Sequence, residues 1–246
     1  MGIVPTSSPL GESGVTYVAL GDSWPNGAHC GFCRTFAGLY ADGLEETTGR
    51  GIEFIDLTEA TIPGTQQGQT ANSLLSDLRS SEEVREAVSG ADIVMVSTGL
   101  NELDHGALNE YLAGRCGGAD KADCFREVGV GWHEAFDAIL TEIEALRAGR
   151  ATAIRLVSAE NIFISDPELV DLLGEDFGPT TGALITKLLN DAMCDAATNH
   201  VAVCIDVRPI LNGATLDQPM DENSPASHQA VADALVASGL EELAFV

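Results

Sequence analysis

The sequence predicts an α/β protein: a three-layer α/β/α sandwich around a central parallel sheet of about five strands. Three observations lead there. Short apolar, β-branched runs alternate along the chain with segments whose apolar residues fall at helical spacing. The runs are continuously apolar, as in Ile93-Val94-Met95-Val96, which marks strands covered on both faces. No internal repeat, low-complexity tract or composition break divides the 246 residues. Residues 15–246 therefore read as one domain behind a flexible segment 1–14 rich in Ser, Pro and Gly.

The elements follow in order. Tyr17–Leu20 is the first strand, stopped by Gly21. Arg34–Thr48 reads as a helix with Phe36, Leu39, Tyr40 and Leu44 on one face, and Ile52–Leu57 as the second strand. Ser73–Leu78 begins a helix, and Ser81–Val88 is another, opened by Ser with acids in its first turn. Asp92–Ser97 is the third strand. A long helix over about Cys124–Ala148 carries the stripe Phe125, Val128, Trp132, Phe136, Ile139, Leu140, Ile143 and Leu146. Ala153–Val157 is the fourth strand. Asp166–Leu173 starts Asp-Pro, a cap followed by a first helical position. Thr180–Thr198 is helical, Val201–Asp206 is the fifth strand, and Pro225–Ser238 closes the chain's regular structure before Gly239.

Composition excludes some functions. Hydrophobic residues make up 45% of the chain, enough for a core. The net charge of −26 repels phosphate backbones, so nucleic acid is not an expected partner. No apolar run reaches the roughly 18–20 residues of a membrane span. Met1–Gly14 lacks the basic start and apolar centre of a signal peptide.

The six cysteines fall as local pairs, Cys30–Cys33, Cys116–Cys124 and Cys194–Cys204, and are expected to be disulfides of a secreted or exported protein. The second and third would contribute roughly 2–3 kcal/mol each if unstrained. Cys30-Gly31-Phe32-Cys33 is also a CxxC motif. A loop staple, a thiol-disulfide site and half of a zinc site all fit it, but no second CxxC completes a four-thiolate set.

In a parallel sheet, the loops after the strands meet at one edge. The first strand delivers Ser23, beside Trp24. The segment after the second holds Gly64-Thr65-Gln66-Gln67-Gly68-Gln69-Thr70. The third delivers Thr98-Gly99-Leu100-Asn101-Glu102, and the last leads to Asp221 and His228. A hydroxyl, a glycine amide, a carboxamide and an acid/imidazole pair are the parts acyl transfer needs. The alcohol needs a base, and the oxyanion needs fixed N–H donors, one good donor being worth roughly 3–4 kcal/mol.

These blocks resemble the SGNH or GDSL hydrolases. Gly21-Asp22-Ser23 matches the first block. Gly68-Gln69-Thr70-Ala71-Asn72-Ser73-Leu74-Leu75 matches the second, and Gly99-Leu100-Asn101-Glu102 the third, with Glu102 where the family has Asp. The resemblance implies a flavodoxin-like sandwich and an ester-hydrolysing site without metal or cofactor. It implies Ser23 as nucleophile, and an oxyanion hole of the Ser23 amide, Gly68 and Asn101. The fourth block departs from the family pattern Asp-x-x-His-Pro. This chain reads Asp221-Glu222-Asn223-Ser224-Pro225, with Ser224 in the histidine's place.

Three readings of the base follow: His228, oriented by Asp221; His29, close to Ser23 in sequence; or no imidazole, leaving a weak esterase or a ligand- or carbohydrate-binding relic. The remaining candidates fit structural roles at least as well. His105, Glu102 and Asp104 lie on the active rim without metal-ligand spacing. His133 falls on the long helix, His200 in a turn, and Asn161 after the fourth strand. The expectation is a serine-dependent hydrolase of small-molecule or glycan esters, with a thiol-disulfide protein using Cys30 and Cys33 as a separate alternative.

Overall fold

The structure, a computed structural model, describes residues 14–31, 33–63, 65, 67–213 and 220–243, without the side chains of Asp104 and His105. Segment 1–13, Gly64 and Gln66 lie outside the described residues.

In chain order the elements are β1 (Val15–Gly21), α1 (Ser23–Asn26), α2 (Phe36–Thr48), β2 (Ile52–Thr58), α3 (Ala71–Ser80), α4 (Glu82–Gly90) and β3 (Ile93–Ser97). A 3-10 turn (Leu100–His105), α5 (Ala107–Leu112), α6 (Asp123–Arg147), β4 (Ala153–Val157), α7 (Ile162–Ser165) and α8 (Pro167–Leu173) follow. A π turn (Gly178–Gly182), α9 (Ala183–Asn199), β5 (Val203–Ile205), α10 (Arg208–Leu211) and α11 (Pro225–Ala237) complete them.

The five strands form one parallel sheet in the order β2-β1-β3-β4-β5. Successive side chains of a strand point to opposite faces, and β1 uses both. Tyr17 and Ala19 pack with Phe36, Tyr40 and Leu44 of α2 and Val231 and Leu235 of α11. Val18 and Leu20 pack with Leu74 and Leu78 of α3, Phe136 and Ile139 of α6, and Ile185 and Leu189 of α9. The three-layer expectation holds for this reason.

Capping chemistry sets the helix starts. The Ser81 hydroxyl accepts from the Val84 amide, and the Asp166 carboxylate accepts from the amides of Glu168 (2.8 Å) and Leu169 (3.2 Å). Helix α2 begins at Phe36 rather than Arg34, because Thr35 is extended and caps it. The expected Thr180 start moves to Ala183, because Pro179 and the glycines around it form the π turn. Strand β5 is three residues long instead of six; Val201 turns with φ 51° and stands outside the ladder.

All three expected cysteine pairs are joined: Cys30–Cys33, Cys116–Cys124 and Cys194–Cys204. The last ties α9 to β5, an end strand of the sheet. These pairs are consistent with an oxidising compartment. Among the described residues no helix is long and apolar enough to cross a membrane.

Candidate active site

Strand order reverses between β1 and β3, so the crevice beyond their carboxyl ends is where such a sheet receives a ligand. Gly21 ends β1 with φ 151°, and a Cβ there would lie 2.1 Å from the Ser97 carbonyl oxygen. Only glycine permits that approach. Asp22 then caps the one-turn helix α1, its carboxylate accepting from the Trp24 amide at 3.2 Å. Ser23 is thereby the first helical residue, half-exposed at the strand end.

Ser23 opens into a cleft of about 950 Å³, which Asn101, His29, Asp221 and Glu222 also line. Its apolar lining is Leu100, Leu103, Leu108, Ile162, Phe163 and Leu169. Its acidic lining is Asp22, Asp166, Glu168, Asp221 and Glu222. Asn101 donates from Nδ2 to the Gln69 carbonyl (2.8 Å), and the Thr98 hydroxyl donates to the same oxygen (3.2 Å). Gly68 stands against that carboxamide, since a Cβ there would lie 2.5 Å from Asn101 Nδ2. The second and third sequence blocks are thus in direct contact.

Glu102, the departure from the family's Asp, reaches α3. Its Oε1 accepts from the Ala71 amide at 2.5 Å, the first residue of that helix. Burial pushes the Glu102 carboxyl up to about 7, against the hydrogen bonds that favour its charge. The effect repeats around the strand ends. Burial raises Asp22 and Glu160 to about 7, and burial with the charges of Glu160 and Asp22 raises Glu222 to about 8. Asp22, Glu160 and Glu222 line a second, small cavity of about 30 Å³. Sequence reasoning missed Glu160 and Glu222 in this role. Glu222 could have been found from its place inside the fourth block; Glu160 carries no local signal.

The two imidazoles nominated as base part company. His29 is exposed and lines the cleft with Ser23 and Asp221. His228, the first of the three readings of the base, does not line it. Its side chain is 0% exposed, its Nδ1 accepts from the Phe36 amide at 3.2 Å, and its ring lies 5.7 Å from that of Phe36. No hydrogen bond joins it to Ser23 or Asp221 among the described residues. Burial lowers its pKa, opposed by the charge of Asp221. The physical reason is register: α11 begins at Pro225, and its fourth residue points inward against α2. Ser224, in the histidine's place, caps α11 by accepting from the Ser227 amide at 3.1 Å. Asp221 likewise accepts from the Asn223 amide (2.9 Å), bracing its own turn.

The other candidates take structural places. Trp24 lines the cleft, yet its indole also donates to the Glu222 carbonyl (3.1 Å) and packs on Phe36. Asn161 donates from Nδ2 to the Gly178 carbonyl (2.9 Å) and anchors the π turn. His200 bridges Asp137 and Glu144 on α6, and His133 is exposed on the same helix. Among the described residues, one group of potential metal donors gathers, Cys30, Cys33 and His228. Its sulfurs are committed to the disulfide.

No family's sequence profile and no curated protein matches the chain. Solved structures do. A lipase, Lip_vut3, from a goat rumen metagenome is similar at 20% identity and a TM-score of 0.70, covering 92% of this chain and 98% of its own. An extracellular lipase from Streptomyces rimosus is similar at 18% identity and a TM-score of 0.58, covering 92% and 99%. A protein from Parabacteroides merdae ATCC 43184 named as a GDSL-like lipase is similar at 11% identity and a TM-score of 0.58, covering 91% and 94%. At these identities the likeness is one of fold, and with the three sequence blocks meeting at one sheet edge it says which: this chain has the SGNH/GDSL hydrolase fold.

Proposed function

We propose that the protein hydrolyses carboxylic esters through an acyl-enzyme on Ser23. The observation that carries the reading is the single cleft holding Ser23, Asn101, His29 and Asp221, with Gly68 against the Asn101 carboxamide. His29, the one described histidine in that cleft, takes the Ser23 proton, and Asp221 offsets the imidazolium charge. The oxyanion is held by the Ser23 and Gly68 amides and by Asn101. Asn101 Nδ2 carries two protons; one is given to Gln69, and the other remains for the oxyanion. His29 gives that proton to the departing alcohol, then takes one from the water that attacks the acyl-enzyme, and returns it to Ser23 as the acid leaves.

The apolar lining suits an acyl chain, and the carboxylates of Asp166, Glu168 and Asp221 in the same cleft disfavour anionic substrates. The substrate class is a neutral ester with an apolar acyl group, and the cysteine pairs favour an exported protein acting on it outside the cell.

One variant and two measurements test the reading. Ser23→Ala should abolish hydrolysis of short p-nitrophenyl esters, and an organophosphate should add one adduct to the wild-type mass and none to the variant. The capping role of Ser224 and the burial of His228 favour a second reading, a ligand-binding protein on the same fold. It predicts no adduct on Ser23 and no turnover in either form.

A further inference from the structure

The Cys30–Cys33 motif has no role in the proposed ester chemistry, and it lies against the fully buried imidazole of His228. A ring nitrogen of His228 and the two sulfurs are within 4.8 Å of one another. Both cysteines are partly exposed and open to reagents, whereas His228 is fully buried. The Phe36 amide donates to His228 Nδ1, which leaves the proton of the neutral ring on Nε2. Nε2 is buried and has no hydrogen-bond partner. A buried donor without an acceptor is costly, so the disulfide form keeps a donor it does not use. A thiolate brought within reach of Nε2–H would supply the missing acceptor.

The same three side chains form a soft-metal donor set, but the tautomer argues against a metal. Ligation through Nε2 would move the proton to Nδ1 and set it against the Phe36 N–H. A thiolate acceptor requires no such change. The loop length argues against a mere staple. The cysteines are 3 residues apart, against 8 and 10 for the other pairs, and the shortest loop restrains the unfolded chain least. Cys33 also stands two residues before the Thr35 cap of the 13-residue α2, whose amino end favours negative charge.

We propose that Cys30–Cys33 is a redox-active disulfide, a site of exchange with dithiol reductants, whose reduced form is a thiolate held by the Nε2–H of His228. A thiolate of the reductant attacks one sulfur; the Sγ–Sγ bond breaks and a mixed disulfide forms. The reductant's second thiol then displaces the protein sulfur and leaves as a cyclic disulfide. Two electrons pass to the cysteine pair. Of the two protons the dithiol gives up, one ends on one cysteine and the other goes to solvent, leaving the second cysteine ionised.

The test uses the native full chain, graded dithiothreitol, iodoacetamide trapping and peptide mass mapping. Cys30 and Cys33 should be alkylated at ratios of reduced to oxidised dithiothreitol that leave Cys116–Cys124 and Cys194–Cys204 joined. In the reduced protein, His228→Phe should lower alkylation of the reactive thiol at neutral pH about tenfold, the change in thiolate fraction for one unit of pKa. His228→Gln, which keeps a donor, should restore part of it. Nitrogen-15 spectra of the wild type serve if the variants fail to fold: a slowly exchanging Nε2–H of His228 should appear on reduction. Reduction of this pair no earlier than the others, or reactivity indifferent to His228, overturns the proposal. So does stoichiometric retention of added Zn²⁺ with the proton found on Nδ1. None of these readouts is ester turnover, so the result stands or falls apart from the hydrolase reading.

Discussion

Gly68 and Asn101 are in contact such that a single methyl group on the glycine would overlap the asparagine's carboxamide, at 2.5 Å from Nδ2 and 2.6 Å from Cγ. The carboxamide is also tied to the Gln69 carbonyl, so it has little freedom to move aside. On the proposed mechanism, Gly68→Ala disturbs the oxyanion donors. The expected loss in kcat/KM is about 10²-fold, the scale of one removed donor. Steady-state kinetics on p-nitrophenyl acetate alongside a thermal melt check it. A change in melting temperature as large as that of a core deletion would point to the fold instead.

His29 and His228 should separate cleanly. His29 is exposed, so His29→Ala should leave the melting temperature within a degree or two while lowering kcat by about 10²–10⁴-fold, the range for a lost general base. His228→Ala removes a buried ring and the acceptor of the Phe36 amide. It should cost about 2–4 kcal/mol in urea denaturation. Undiminished turnover in His29→Ala would exclude that residue as base.

Stability should fall as pH rises. Asp22, Glu102 and Glu160 are raised to about 7 and Glu222 to about 8, chiefly by burial. The folded chain therefore keeps protons that the unfolded chain releases near its ordinary carboxylate values of about 4. The stability these groups contribute is complete below that value and is lost as pH climbs through about 7 to 8. Melting temperatures across that interval should decline, and Glu222→Gln should flatten the slope. A rising curve would contradict the assignment.

Glu102 offers a test of its long reach. Its carboxyl accepts from the Ala71 amide, the first amide of α3. Glu102→Ala leaves that amide unanswered and should cost about 1–2 kcal/mol, the range for a lost cap. Glu102→Asp restores the family's residue but is one methylene shorter, and should recover only part of the loss in chemical denaturation.

What was legible in the sequence was local. Strand Ala153–Val157, the caps Ser81 and Asp166, and three cysteine pairs no more than 10 residues apart depend on neighbours in the chain. The shared cleft of Ser23 and Asn101, and the contact of Asn101 with Gly68, followed because parallel strands bring their following loops to one edge. What stayed hidden depends on partners far along the chain. His228 meets Phe36 across 192 residues, and Trp24 meets Glu222 across 198. Arg155 sits unexposed inside β4 because Glu242, Ser238 and the Gly239 carbonyl surround its guanidinium. No periodicity reports such a pairing, and the inward turn of His228 hangs on where α11 starts, an offset of a residue or two.

The Cys194–Cys204 bond fastens a three-residue end strand to a long helix. A ladder that short holds its place weakly by backbone bonding alone. Were the bond cut, β5 could peel away and bare the flank of β4, whose unpaired amides and carbonyls would template stacking between chains. The covalent tie then guards colloidal behaviour more than melting temperature: reduced preparations should cloud on concentration before they lose helicity.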